Sequence, residues 1–313
     1  MLSEKKRATL VGLLAPVLWG LSVGMIRLVE ETAGMARGLA LCYVIGAVFA
    51  LAVFGRPRID RMPLRYLLCG IPCAVACSLC FTFSLQISDG GRQTLEVGMV
   101  NYLWPSLTII AAILFNGQRA RWYVVIGFLL ALFGLGEVIS GSAGFHPAEM
   151  LQHMRDNPLS YLLALCGALA WALYSSATRA WGGGENPTAL IFMIDAAIFG
   201  TLALTGGVPA PASFTPSGLL VCLAAGCVMD GSYAVWTVGV QKGSITILAI
   251  ASYFTPVLSC LFGAVLLDAS LPAGFWGGVL VVVAGSLVCW ASTLQEGFLR
   301  RLWDRRRFQV RGK

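Results

Sequence analysis

Twice in this chain a polar residue stands four positions ahead of a proline within an apolar run, as Asn101 before Pro105 and Ser252 before Pro256. Proline has no N–H to donate, so inside a helix it releases the carbonyl four residues earlier. Here those carbonyls belong to Asn101 and Ser252. Freed backbone at membrane depth is tolerated where protein buries it or where it lines a wet cavity. Either segment alone reads as a packing kink. Two in register, each with a polar side chain at the freed carbonyl, point to a pair of interrupted helices around a small-molecule site.

Aromatic residues gather near the same depth. Tyr102 and Trp104 flank the first proline, Tyr253 and Phe254 precede the second, and Trp19, Phe81, Phe83, Trp171, Tyr174, Tyr233 and Trp236 sit on other apolar runs. Trp and Tyr in membrane helices usually form interfacial belts, and core packing accounts for any single one equally well. Most of these lie mid-run, where a belt is not expected and where a cavity would use them as planar, amphipathic walls.

Four acids, Glu96, Glu137, Asp195 and Asp230, interrupt or border apolar runs. Each costs roughly 2.5–3.5 kcal/mol to insert and so calls for a partner or a function. Asp230 precedes Gly231 and Ser232 and shares a run with Tyr233 and Trp236, which makes it the best candidate to face a cavity and hold a ligand ammonium or a coupling proton. Glu96 reads equally as a helix-terminal cap and Glu137 as a headgroup-level residue. Asp195 has no partner that the sequence names. Lys242 reads as a topological anchor or a gate charge.

Other constellations carry less chemistry. Cys69, Cys73, Cys77 and Cys80 fall on one helical face; metal binding is conceivable, but small residues packing helix on helix are the commoner use. His146 and His153 each precede a carboxylate by three residues, Glu149 and Asp156. Without a thiol or a metal-ligand spacing they read as parts of an exposed amphipathic connector. No GxxxxGK[ST] or HExxH pattern is present, so neither an ATP-driven motor nor a zinc-dependent intramembrane hydrolase has visible machinery. No metal and no cofactor is expected, and a gradient-driven carrier, not an enzyme, is the economical reading.

The elements that must position these residues follow from composition. The 313 residues are 58% hydrophobic and 12% charged, against about 25% charged in a soluble domain. Charge-free runs at 8–26, 38–55, 66–88, 97–118, 157–178, 243–267 and 269–295 each approach the roughly 20 residues of a membrane span. Runs at 122–141, 187–206 and 217–241, each holding one acid, bring the predicted total to ten transmembrane helices in an all-α protein. The first run is too long for a signal-peptide core, and so it reads as an uncleaved span. All ten cysteines lie in apolar spans, away from loops where a structural disulfide would sit.

The net charge of +7 follows topology, not nucleic acid. Eighteen of the 22 Lys and Arg fall at the termini or in alternate loops, leaving Arg27, Arg37, Arg92 and Arg155 on the other side. The positive-inside rule then predicts both termini in the cytoplasm. The tail 296–313 reads as a basic anchor that touches anionic membrane lipid.

Self-similarity divides the chain. Trp19 and Arg27 reappear as Trp171 and Arg179, SLQ at 84–86 as GVQ at 239–241, and NYLWP at 101–105 as SYFTP at 252–256, with offsets of 152, 155 and 151. The implied units are a first five-helix repeat over 1–141, a linker over 142–158, a second repeat over 159–295 and the tail. Five spans per unit is odd, so the second copy enters the membrane from the opposite side, giving a five-plus-five inverted repeat.

These features resemble a known family. GLLAPVLWG at the start of the first half, EVGMVNYLWPSLTIIAAILFNGQ (96–118) and GSITILAIASYFTPVLS (243–259) are similar to the EamA branch of the drug/metabolite transporter superfamily, and within it to bacterial exporters of aromatic amino acids. The resemblance implies a basket-shaped bundle in the bacterial inner membrane, a central cavity, efflux of phenylalanine, tyrosine, tryptophan and related compounds, and no prosthetic group. It also implies that Trp104 and Trp171 are cavity tryptophans, while Asp195 inherits no role. The predicted substrate site is then Trp19, Asn101, Tyr102, Trp104, Trp171, Asp230, Tyr233, Trp236, Ser252 and Tyr253, shaped by Pro105 and Pro256, with protons as a candidate coupling ion. Export of other metabolites or drugs, a passive channel, and a non-transporting assembly or sensor subunit are the alternatives.

Overall fold

The computed structural model describes residues 3–117, 120–140, 147–182, 185–206, 216–242, 248 and 251–293. Among them every regular element is helical: α1 (Glu4–Gly12), α2 (Leu14–Ala33), α3 (Met35–Phe54), α4 (Ile71–Gln86, entered through a π-turn at Tyr66–Gly70), α5 (Gly90–Asn101), α6 (Trp104–Asn116), α7 (Val124–Ser140), α8 (Pro147–Asp156), α9 (Pro158–Trp181), α10 (Thr188–Thr205), α11 (Pro216–Lys242), α12 (Thr255–Leu266) and α13 (Ala273–Ser292). Eight stretches are long and apolar enough to cross a bilayer, and two shorter ones, Val124–Ile139 and Thr255–Leu266, complete ten. This is a multi-pass membrane protein. Its outer surface is apolar in the way lipid demands, with Leu204 91% and Val265 78% exposed.

Two helices extend past their charge-free runs where a charge finds a partner. The first span runs on to Ala33, past Arg27, Glu30 and Glu31. Arg27 donates to Glu31 Oε1 at 2.7 Å and reaches across to the Leu85 and Gln86 carbonyls at 2.9 and 3.2 Å, satisfying the end of α4. The fourth span starts at Gly90 instead of residue 97, because Arg92 and Glu96 pair one helical turn apart at 3.0 Å. The linker is helical over Pro147–Asp156, while His146, the Glu149 side chain and the tail 296–313 lie outside the described residues.

The packing repeats as the sequence does. α2 lies on α11 and α12, and its counterpart α9 lies on α4 and α6; α3 pairs with α10, and α7 with α13, each across the relation between halves. One contact departs from this symmetry. α3 packs closely along α11, whereas its counterpart, α10 on α4, is sparse.

Apolar helices in lipid gain little by hiding from water, so close backbone approach must hold them together. The α7–α13 pair does this with glycines at seven-residue spacing, Gly127 and Gly134 facing Gly278 and Gly285. A Cβ at Gly134 would fall 2.6 Å from the Val282 nitrogen, and one at Gly285 2.5 Å from that of Ala131. Gly134→Val should therefore cost about 1–3 kcal/mol by overpacking and lower the thermal-shift midpoint. Gly200→Ala, where a Cβ meets nothing within 4 Å, should not.

Candidate substrate site

Both helix interruptions occur where the prolines predict. α5 ends at Asn101 and α6 opens at Trp104 with Pro105 in its first turn; Thr255 and Pro256 open α12 likewise. Proline suits that position because the N–H it lacks would be unpaired anyway. Each proline thus starts a second helix, and the turn ahead of it delivers side chains inward.

They reach a cavity of about 200 Å³ between the halves. α2 presents Trp19, Ser22, Val23 and Ile26, one face at three- and four-residue spacing. α4 presents Cys77, Ser78, Phe81 and Thr82 in the same manner, and the α5–α6 turn gives Asn101, Tyr102 and Trp104. Trp171 enters from α9, Tyr43 and Phe192 from α3 and α10, Met229 and Tyr233 from α11, and Thr255 from α12.

The rings form two walls. Trp104 meets Trp171 edge-on at 6.1 Å, and Trp171 lies 5.3 Å from Tyr174. Opposite, Tyr233 contacts Trp19 at 5.9 Å and Phe192 at 5.7 Å, and Phe192 contacts Tyr43 at 5.9 Å. Between them lie hydroxyls and one amide, including Thr255 Oγ1, which has no hydrogen-bond partner among the described residues. Among the described residues no lining side chain is an acid or a base of the Lys, Arg or His type. Pockets for drug-sized ligands run to roughly 300–1,000 Å³, so this volume suits a smaller, planar, net-neutral solute with polar groups at one end.

Six of the ten residues named from sequence line the cavity: Trp19, Asn101, Tyr102, Trp104, Trp171 and Tyr233. Trp236 stands behind them, 5.1 Å from Trp19. Tyr253 turns to Trp290 at 6.4 Å, and Ser252 is not among the lining residues. The repeat explains the substitution: Thr255 matches Trp104, and in both halves the residue just before the proline enters the cavity. Asp230 does not line it either. Met229 and Tyr233 occupy the inward face of α11, and Asp230, about 100° further round, is buried against Gly46 of α3.

Ser22, Tyr43, Ser78, Thr82, Phe192, Met229 and Thr255 were missed; the polar stripes on α2 and α4 could have revealed three of them. Among the described residues no His, Cys, Asp and Glu group could hold a metal, and the cysteine row is a set of free thiols.

Glu96 is neither a cap nor a substrate group. It is 2% exposed, accepts from Tyr161 at 2.7 Å and Arg92 at 3.0 Å, and faces His153 Nδ1 at 3.5 Å. It clasps α5, α8 and α9, so His153 belongs to this clasp and not to a free connector. Glu137 is half-buried on α7, and Asp195 is wholly buried.

Residues 6–139 and 158–291 each match the EamA-like transporter family. The chain belongs to that family. It is similar to a protein of Escherichia coli (strain K12) described as aromatic amino acid exporter YddG, 42% identical over 291 residues, covering 92% of this chain and 98% of the relative. A Salmonella typhimurium protein of the same description is 41% identical over 290 residues with the same coverage, and one from Ancylobacter novellus 27% over 273. A crystal structure 23% identical, spanning 90% of this chain and 97% of its own, shares the fold at a TM-score of 0.55.

If the Trp104–Trp171 wall receives an aromatic ring, Trp104→Ala and Trp171→Ala should each weaken phenylalanine binding about two- to tenfold in calorimetry, the worth of one ring pair. Tyr253→Phe should leave it unchanged.

Proposed function

We propose that this protein exports aromatic amino acids across the bacterial cytoplasmic membrane, by alternating exposure of the cavity as the two halves rock about it. The working units are the repeats over 1–141 and 159–295. The observation that carries this reading is a cavity with aromatic walls, hydrogen-bonding groups at a helix break and no charged side chain among its described lining residues. A phenylalanine, tyrosine or tryptophan zwitterion is net neutral, has a planar ring for the Trp104–Trp171 wall, and offers an ammonium and a carboxylate to Asn101, Thr255 and the backbone freed by Pro105 and Pro256. The exporters at 41–42% identity support the same substrate class. Both termini lie in the cytoplasm, on the strength of the Lys and Arg distribution; the basic tail meets anionic lipid there.

Purified protein in liposomes loaded with labelled phenylalanine, threonine or a sugar tests the proposal. Saturable release of phenylalanine with little of the other two is the expected outcome. Equal release of all three would mean a channel, and release of none a protein that does not transport.

A further inference from the structure

α3 runs between α10 and α11 at the depth of the cavity, and a carboxylic acid flanks it on each side. On α11, Asp230 is 4% exposed, and its Oδ2 has no hydrogen-bond partner among the described residues. The head group lies so close to α3 that a Cβ on Gly46 would fall 2.5 Å from both oxygens, so any larger residue there must displace the acid. On α10, Asp195 is completely buried, and neither oxygen has a partner at full hydrogen-bond geometry among the described residues. Tyr43 of α3 and Ser78 of α4 face it.

The other titratable groups around the pair are Cys42 of α3, Cys77 of α4 and Tyr233 of α11. α2 brings apolar Leu18 to the neighbouring Gly231, and α1 meets α11 at Gly239, two turns away. No Lys, Arg or His among the described residues pairs with either acid. A bare carboxylate in such surroundings is far costlier than a neutral acid. A metal cation would want several oxygen ligands, and the Gly46 backbone occupies that space. A proton is the ligand that fits.

The broken symmetry says when the proton leaves. Alternating access in an inverted repeat exchanges the packing of the two halves. The close α3–α11 contact would then loosen while α10 closes on α4. We infer that Asp195 and Asp230 are proton-binding sites, that their neutral forms hold α3 in place, and that separation of α3 from α11 lets Asp230 give its proton to water. Only an O–H bond breaks in that step. The inference rests on the carrier reading above and names its coupling ion. Its sign is fixed: the packed seam carries the proton, so low pH favours it and rising pH favours separation, by at most tenfold per pH unit for one proton.

Cys42 reports on the seam. It is 2% exposed, and its thiol donates to the Cys222 carbonyl at 3.4 Å. Maleimide labelling of Cys42 in the purified full chain, followed by mass spectrometry at pH 6, 7 and 8, compares the native protein with Asp230→Asn. The thiol's own titration is common to both and cancels in the ratio. We expect the native-to-variant ratio to rise about three- to tenfold per pH unit, the upper limit being one proton released. Gly46→Ala, which pushes the acid aside, should label rapidly at every pH. A ratio flat from pH 6 to 8 would overturn the inference; should Asp230→Asn not fold, Asp230→Ser serves as the non-titrating reference. Phenylalanine flux on the same preparations separates the two readings. Normal flux with a flat ratio removes the proton site alone, and a rising ratio without flux removes the carrier alone.

Discussion

Inside a bilayer a backbone N–H or C=O has only protein to bond with, and that restriction shapes nearly everything in this molecule. It makes every regular element among the described residues a helix, it requires charged residues near helix ends to be paired, as Arg27 and Glu96 are, and it confines broken backbone to places that need it. The two breaks, ahead of Pro105 and Pro256, occur at matched positions and open onto one cavity. Exposed backbone and substrate-sized space coincide because neither is tolerated elsewhere.

The cavity's chemistry follows from helical phase. Aromatic and hydroxyl side chains fall on the inward faces of α2, α4 and α11, while the acids are rotated away into helix–helix seams. The result separates two tasks. The lining offers π faces and hydrogen-bonding groups suited to a neutral solute, and the buried carboxyls sit in the walls whose movement would expose such a solute to one side or the other. At the periphery, glycine crossings bring the backbones of α7 and α13 into close contact.

Much of this was legible in the sequence because it depends on composition and repetition. Ten spans, two related halves and the interruptions at Asn101–Pro105 and Ser252–Pro256 all follow from where charges are absent and where segments reappear. What could not be read is the rotation of each helix about its axis. Asp230 and Tyr233 are three residues apart, yet one faces α3 and the other the cavity. Tyr253 was a natural choice by likeness to Tyr102, but α12 presents Thr255 instead. Glu96 and His153 are far apart in sequence and drew no attention as a pair, because a clasp between helices leaves no local pattern. Charge-free runs also underestimated helix length where a charge is paired, by the end of α4 at Arg27 and one turn along its own helix at Arg92.

The central claim is that an aromatic amino acid occupies the space between the Trp104–Trp171 wall and the Trp19–Tyr233 wall. Photo-crosslinking with an azide-bearing phenylalanine, mapped by mass spectrometry, tests it directly. Adducts on Phe81, Trp104, Trp171 or Tyr233 that unlabelled phenylalanine competes away are the predicted result. Adducts confined to lipid-facing residues such as Leu204 or Val265, or indifferent to competition, would contradict it.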